Sequence, residues 1–155
     1  MPSSYCKIRR DDYLFSIIGS GKVGSATAFL AASESLDDIH LVNRHKEKAI
    51  GQALDITNAI PENSSIHVKA TDYSEIKNSE VIVITASTGT YTASRTELLS
   101  DQVKMIKSIA QNIKKFAFDS KVLVISNPVD VLTYVFQKES GMPPEKVIGV
   151  ASSLD

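Results

Sequence analysis

Cysteine is almost absent from this sequence, and its charges are nearly balanced. Cys6 is the single cysteine among 155 residues, which excludes an internal disulfide and fits a reducing compartment, so we expect a cytoplasmic location. A net charge of −1 gives no electrostatic basis for a nucleic-acid partner or an anionic membrane surface. No apolar run approaches the roughly 20 residues of a membrane span, and the uncharged stretch 13–21 is too short and glycine-rich for a secretory signal. We therefore expect neither nucleic acid nor membrane as a partner.

Short apolar, β-rich runs alternate with longer segments of helical periodicity over most of the chain. This alternation predicts an α/β fold with helices on both faces of a doubly wound parallel sheet, which would have about six strands. The continuous apolar runs 81–86 and 122–126 are typical of strands that are covered on both faces. The length suits a single domain over residues 13–155, preceded by a flexible lead of residues 1–12. Strands are predicted at 13–18, 39–42, 66–71, 81–86, 122–126 and 147–150, and helices at 22–34, 45–60, 98–116 and 131–138.

Three of the predicted helices carry apolar residues at helical spacing. Pro61 ends the second of these helices, because proline restricts the residue before it to extended conformations. The spaced residues are Val23, Ala26, Thr27, Leu30 and Ala31 in the first helix, Ala49, Ala53, Ile56 and Ile60 in the second, and Leu99, Val103, Ile106, Ile109, Ala110 and Ile113 in the third.

A glycine-rich turn follows the first predicted strand and opens the first helix. Its residues are Gly19, Ser20, Gly21, Lys22, Val23 and Gly24, which make up the pattern G-x-G-x-x-G. In that position the first glycine allows a tight turn, the second admits a pyrophosphate close to the backbone, and the third lets helix and strand pack closely. The helix N-terminus then offers its N–H groups to the phosphates. The pattern predicts dinucleotide binding in a Rossmann fold, although an ordinary turn without a ligand has the same form. No Walker-type ending follows the turn, and no metal site is predicted.

The end of the second predicted strand bears on the choice of cofactor. NAD-binding turns usually place an acidic residue about 20 residues further on, where it holds the ribose hydroxyls. Here Asn43 stands at that place and Arg44 follows it. A neutral amide does not repel a 2′-phosphate, and a guanidinium can pair with one, so the segment favours NADP slightly over NAD. The alternative is that Arg44 is a solvated charge and Asn43 the N-cap of the next helix.

The ordered set of motifs resembles the N-terminal, NAD(P)-binding half of the lactate/malate dehydrogenase family. Within that family the sequence looks most like the malate dehydrogenase branch that includes archaeal enzymes. The resemblance implies an oxidoreductase that moves hydride between a nicotinamide cofactor and a small 2-oxo or 2-hydroxy acid, with malate favoured. Its carriers are the glycine turn and the segments 53–56 (Ala-Leu-Asp-Ile), 81–86 (Val-Ile-Val-Ile-Thr-Ala), 95–99 (Arg-Thr-Glu-Leu-Leu), 126–130 (Ser-Asn-Pro-Val-Asp), 132–134 (Leu-Thr-Tyr), 147–149 (Val-Ile-Gly) and 154–155 (Leu-Asp).

The same resemblance implies roles for single residues. Arg95 matches the mobile-loop arginine that polarises the substrate carbonyl, which is a device suited to developing oxyanion charge. Asn127 matches an asparagine that hydrogen-bonds substrate or nicotinamide, and Asp155 the aspartate that orients the catalytic histidine. Asp130 is expected to cap or brace the following helix. Cofactor contacts are further implied at Thr85, Ala86 and Ser87.

The sequence departs from the family pattern in three places. The family's catalytic histidine and carboxylate-binding arginine follow the Leu-Asp pair, so this chain is expected to lack the catalytic domain and to bind cofactor without turnover. The three histidines, His40, His45 and His67, do not stand at the required position. The loop 87–94 contains neither the arginine of malate enzymes nor the glutamine of lactate enzymes. A neutral loop cannot pair with the second carboxylate of malate, so this segment argues against malate as the substrate. Ser87 replaces a glycine of the family pattern.

Two further functions compete with the dehydrogenase half. One is a stand-alone dinucleotide-binding or redox-sensing module without catalysis; the other is a domain for a different adenosine ligand, such as S-adenosylmethionine. The segments 95–99 and 126–130 argue against the latter. Members of the family pair through the helix that 45–60 resembles, so a homodimer or tetramer is expected. Gly51, Ala53 and Ala59 would permit a close helix approach, although core packing explains them equally well.

Overall fold

The computed structural model describes residues 14–60, 66–89 and 95–151, with only the backbone described at 95 and 96. Six strands and four helices lie within these residues, and they alternate as the sequence predicts except that the fourth strand follows the third without an intervening α-helix. In chain order they are β1 (Leu14–Ile18), α1 (Lys22–Ser33), β2 (Asp38–Val42), α2 (Lys46–Ala59), β3 (Val68–Ala70), β4 (Ser79–Ile84), α3 (Arg95–Phe116), β5 (Lys121–Val124), α4 (Val129–Ser140) and β6 (Val147–Gly149), with short 3₁₀ turns at Tyr73–Glu75 and Pro144–Lys146.

All strand pairings are parallel, and the strand order across the sheet is β3-β2-β1-β4-β5-β6. The chain therefore builds outward from β1 in one direction and then returns to place β4 on its other side. A crevice opens at such a reversal, because the loops after the two central strands leave towards opposite faces of the sheet. The predicted doubly wound fold is confirmed, and this reversal places the candidate site at the carboxyl ends of β1 and β4.

Helices cover both faces of the sheet and form two separate cores. Ile17 and Val83 pack on one side with the small residues of α1 and α2. Ile18 and Ile84, their neighbours in the strands, pack on the other side with α3 and α4. Successive strand residues point to opposite faces, so the uninterrupted apolar runs in these strands supply both cores.

The three predicted apolar patterns differ in how well they mark the buried helix faces. All four spaced residues of α2 are buried, and so are Ile106, Ile109, Ala110 and Ile113 of α3, although Leu99 is partly exposed. In α1 the helix is confirmed, but Val23 is 53% exposed and Leu30 63% exposed. The buried residues of α1 are Gly24, Ala28, Ala31 and Ala32, and only Ala31 among them belongs to the predicted pattern. Small residues let α1 lie close to the strands, which turns its larger side chains outward.

Several elements begin or end away from their predicted bounds. The fourth strand ends at Ile84 and the fifth at Val124, each two residues earlier than predicted, so the residues that follow belong to the loops at the carboxyl edge of the sheet. The fourth helix runs from Val129 to Ser140 and ends at Gly141, whose φ of 67° suits a glycine terminator.

None of the helices within the described residues is long and apolar enough to cross a membrane. The predicted flexible lead lies outside the described residues.

Candidate functional site

The loops that follow β1, β2 and β4 meet at the carboxyl edge of the sheet. Backbone bonds hold the three together: Gly19 N–H donates to the Val42 carbonyl at 2.8 Å, and Thr85 N–H to the Ile18 carbonyl at 3.0 Å. The predicted site residues of the glycine turn, of 43–44 and of 85–87 therefore occupy one edge, although they are far apart in the chain. Parallel topology produces this convergence, because every strand presents its carboxyl end to the same side.

Two of the turn glycines are required by packing inside the domain. Gly19 has a φ of 106°, and a Cβ on it would lie 2.6 Å from the Ala86 backbone. A Cβ on Gly24 would overlap the Gly19 carbonyl oxygen and lie 2.6 Å from Thr85 Oγ1. At Gly21, by contrast, a Cβ would have no heavy atom of the described chain within 4 Å, apart from those of Gly21 itself and its two neighbours in the chain. The free volume beside the backbone at Gly21 is where the glycine pattern predicts close approach of a pyrophosphate.

The start of α1 suits an anionic group. Gly21 is its N-cap, and within the described part of the chain no side chain caps this end and no acidic residue occupies its first turn. The backbone N–H groups of a helix's first turn have no partner inside the helix, and its dipole makes that end positive. Lys22 and Val23 are exposed there. Together with the space at Gly21, this end fits the pyrophosphate of a dinucleotide.

Two hydroxyl groups fix the loop that follows β4. Thr85 Oγ1 donates to the Gly19 carbonyl at 2.6 Å, and Ser126 Oγ donates to the Ala86 carbonyl at 2.6 Å. The loop is thus tied to the glycine turn on one side and to the end of β5 on the other. Ser87 is exposed, and its Oγ accepts a 3.4 Å hydrogen bond from Gly89 N–H. Sequence reasoning assigned no role to Ser126, although it directly precedes Asn127 in the motif 126–130.

Asn43 has a structural part in the loop after β2. Its Nδ2 donates to Ser20 Oγ at 2.8 Å, and its Oδ1 accepts from His45 N–H at 3.0 Å. The N-cap of α2 is His45, so the alternative that Asn43 caps this helix is wrong. The side chain of Asn43 instead links the loop to the glycine turn. Arg44, the next residue, is exposed.

A cleft of about 550 Å³ extends from Arg44 to α3 and to the loop after β4. Its other lining residues are Thr88, Asp101, Lys104 and Met105. Sequence reasoning did not single out these four residues, since only the fold brings the third helix next to Arg44. Lys46, which also follows β2, is paired with Asp72 at 2.9 Å, and this hydrogen bond raises the pKa of Lys46.

The structure describes the remaining predicted site residues to different extents. Asn127 is exposed just after β5, at the same sheet edge, and its peptide bond to Pro128 is cis. Arg95 begins α3, where the backbone alone is described, and Asp155 lies outside the described residues. Asp130 does not cap α4: the N-cap is Pro128, and Asp130 is exposed in the first turn, where its charge suits the helix dipole.

None of the three histidines adjoins Asn127. His40 lies within β2, opposite Lys69 of β3, and burial together with Lys69 lowers the pKa of its imidazole. His45 and His67 are exposed outside the strands. Among the described residues, no group of three or more His, Cys, Asp or Glu side chains is placed to hold a metal ion.

The glycine turn at a strand-order reversal, beside an uncapped helix start, defines a dinucleotide-binding α/β domain. Comparison with known proteins agrees, because the sequence model described as "lactate/malate dehydrogenase, NAD binding domain" matches residues 15–149. The chain belongs to the lactate/malate dehydrogenase family, as the motifs predict. An L-lactate dehydrogenase of Clostridium perfringens is 38% identical over 150 residues, which are 96% of this chain and 47% of that protein. One of Thermoanaerobacterium saccharolyticum is 42% identical over 141 residues, 90% and 45% of the two chains.

Solved structures of both enzyme types share the fold. The malate dehydrogenase of Picrophilus torridus superposes with a TM-score of 0.85 at 34% identity, covering 90% of this chain and 46% of that one. The lactate dehydrogenase of Cryptosporidium parvum, complexed with lactic acid and nicotinamide adenine dinucleotide, superposes with a TM-score of 0.81 at 36% identity, covering 88% and 44%. The chain spans about half the length of the relatives that it matches.

Proposed function

We propose that this chain binds the nicotinamide dinucleotide of a dehydrogenase that acts on a small 2-hydroxy acid. The observation that carries the proposal is the open space where a Cβ on Gly21 would lie, which adjoins the uncapped start of α1. A bound nicotinamide would supply the hydride acceptor or donor, while the chain binds and orients it. The complex of the Cryptosporidium parvum relative with lactic acid and its cofactor supports this assignment. A cytoplasmic location, suggested by the single cysteine, is part of the proposal.

The substrate-facing roles are also proposals. Asn127, exposed at the end of β5, would hydrogen-bond substrate or nicotinamide, and Arg95, at the start of α3, would polarise the substrate carbonyl. Asp155 would orient a catalytic histidine that a second domain supplies together with an arginine for the substrate carboxylate. Malate is the substrate that the motifs favour, although the loop 87–94 contains no arginine to pair with its second carboxylate. On this proposal the 155 residues alone bind cofactor and do not turn over substrate.

Arg44 supports a preference for NADP over NAD. Asn43 leaves the end of β2 without a carboxylate, and both ends of its amide are already hydrogen-bonded. Lys46 is held by Asp72, whereas Arg44 is exposed and lines the cleft beside α3. A guanidinium can bind a 2′-phosphate through two parallel hydrogen bonds, which gives it both charge and geometry for this ligand.

Fluorescence titration of the chain with NADH and NADPH in parallel tests both parts of the proposal. We expect both to bind, with NADPH the tighter. Arg44→Asp should weaken NADPH about tenfold or more, because it exchanges an attractive charge for a repulsive one, and should change NADH much less. Lys48→Asp makes the same charge change at an exposed position of α2 outside the cleft and serves as the control. Tighter NADH binding that Arg44→Asp does not alter would contradict the NADP preference, and binding of neither nucleotide would contradict the proposal as a whole.

A homodimer or tetramer is the remaining part of the proposal. The helices α1 and α2 pack side by side on one face of the sheet, and both expose large apolar side chains. The most exposed are Leu30 at 63% and Leu54 at 59%, with Val23 and Ile50 also more than half exposed. Apolar surface contributed by two neighbouring helices is typical of a protein–protein contact. We propose that a second copy of the chain covers it.

Sedimentation equilibrium of the chain and of Leu54→Glu tests this contact. The charge would be buried unpaired at the interface, so we expect Leu54→Glu to shift the chain towards monomer by at least about tenfold in the association constant. Tyr134→Glu, which changes an exposed residue on α4 at the other face of the sheet, is the control and should associate as the unchanged chain does. Equal association of all three proteins would contradict the proposed contact.

A further inference from the structure

The cleft beside Arg44 contains a second cation that the sequence gives no reason to connect with the cofactor. Lys104 comes from α3 and Arg44 from the loop after β2, sixty positions apart, yet both line the same cleft of about 550 Å³. Thr88 contributes a hydroxyl group, and Met105 a half-buried apolar side chain. The lining therefore combines two positive charges, a hydrogen-bonding group and an apolar surface, which suit a phosphorylated nucleoside, with one carboxylate, that of Asp101.

Lys104 is already paired with a carboxylate that also lines the cleft. Its Nζ lies 3.4 Å from Oδ1 of Asp101, one helical turn earlier in α3, and the two side chains are 75% and 51% exposed. Exposed ion pairs at this spacing are weak, because water screens them and both side chains lose freedom on pairing. A phosphate monoester carries more negative charge than a carboxylate and has three acceptor oxygens, so it competes well for the same ammonium group.

We infer that Lys104 is a second determinant of the preference for NADP, acting beside Arg44 on the 2′-phosphate, and that Asp101 weakens this preference by pairing with Lys104. The inference rests on the proposed function, since it assigns residues to the 2′-phosphate of the proposed ligand. With NADH bound, Lys104 stays paired with Asp101 and contributes little. With NADPH bound, Lys104 exchanges Asp101 for the phosphate. Removing either member of the pair therefore changes the discrimination between the cofactors in opposite directions.

Titration of the 155-residue chain and its variants with NADPH and NADH tests this exchange. Lys104→Gln should weaken NADPH about five- to tenfold through loss of a charge-assisted hydrogen bond, and NADH less than about twofold. Asp101→Asn should strengthen NADPH about two- to fivefold, because Lys104 no longer has to leave a carboxylate, and should change NADH less than about twofold. Lys107→Gln removes an exposed positive charge of α3 outside the cleft and should change neither dissociation constant.

The double variant Asp101→Asn/Lys104→Gln shows whether Asp101 acts through Lys104. We expect it to bind NADPH as weakly as Lys104→Gln alone does, because the gain from Asp101→Asn requires the ammonium group. Persistence of the full gain in the double variant would overturn the role of Asp101. If Lys104→Gln left the ratio of the NADPH and NADH dissociation constants unchanged, the inference would be overturned. Normal NADH binding in the same variant would leave the proposed function standing. If the unchanged chain bound neither nucleotide, both would fall.

Discussion

Gly21→Ala is expected to weaken NADH binding about 10- to 100-fold, since the added methyl group occupies the space into which the pyrophosphate must come. The same change should lower the free energy of unfolding by only about 1 kcal/mol, because alanine is a poorer N-cap than glycine but its methyl group enters open space. Within the described chain a Cβ at Gly21 meets no heavy atom within 4 Å, and the backbone there is extended with a φ of −79°. A lost affinity with a preserved fold would identify Gly21 as a residue selected for its ligand.

The matched substitution Gly24→Ala is expected to act through the fold. Its Cβ would overlap the Gly19 carbonyl oxygen and press on Thr85 Oγ1, which itself donates to that carbonyl. Overpacking of this kind destabilises by about 1–3 kcal/mol or more, and the turn would move with it. Urea unfolding followed by circular dichroism measures the stability, and NADH titration the affinity.

Gly51→Ala supplies the control for these two variants. Gly51 lies inside α2, and a Cβ there meets no heavy atom of the described chain within 4 Å. Alanine in a helix interior should raise stability by about 0.5–1 kcal/mol relative to glycine and leave NADH binding unchanged. Equal losses of stability in Gly21→Ala and Gly24→Ala would contradict the separate roles that the structure assigns to the two glycines.

Phe136→Ala is expected to destabilise the chain by about 3–5 kcal/mol, because it removes a large side chain from a closely packed core and leaves a cavity. Phe136 is 0% exposed and lies in α4, in the core that α3 and α4 form with β4 and β5. Domains of this kind are stable by only about 5–15 kcal/mol, so a loss of this size is a large share of the total and is measured by urea unfolding. Phe118→Ala, at a partly exposed residue after α3, is the control and should cost about 1 kcal/mol or less.

Adding cofactor to Phe136→Ala links this stability to the site. A ligand that binds only the folded chain, at about 100 times its dissociation constant, stabilises it by about 2.7 kcal/mol. NADH should therefore recover much of the lost stability in urea unfolding, and Gly21→Ala introduced into the same background should remove the recovery. If NADH stabilised the chain equally with and without Gly21→Ala, the assignment of Gly21 to the cofactor site would be wrong.

Much of the fold could be predicted, because its signals are local. The uninterrupted apolar runs around Val83 and Val122 show strands covered on both faces, and the four spaced residues of α2 mark the face that is buried. The glycine turn could likewise be assigned, since each glycine stands at a fixed offset from the end of a strand. These inferences needed only periodicity and short-range geometry.

The face of α1 could not be predicted in the same way. Val23 and Leu30 have the spacing of a buried stripe, yet they point away from the sheet, and Ala28 and Ala32 contact it. Periodicity shows that a helix is amphipathic but not how closely it approaches its neighbour. That distance is set by the strands beneath it and by Gly24, which lets the helix start almost in contact with the turn.

The sequence by itself determined the alternation of strands and helices, the glycine turn and its place before α1, and the absence of a carboxylate at Asn43. Each of these depends on residues close together in the chain. Only the tertiary structure decided that Thr85 and Ser126 hold the loop after β4, that both ends of the Asn43 amide are occupied, and that Lys104 shares a cleft with Arg44. Most of those relations join residues that are tens of positions apart, and the order and register of the parallel strands bring them together, which no local pattern records.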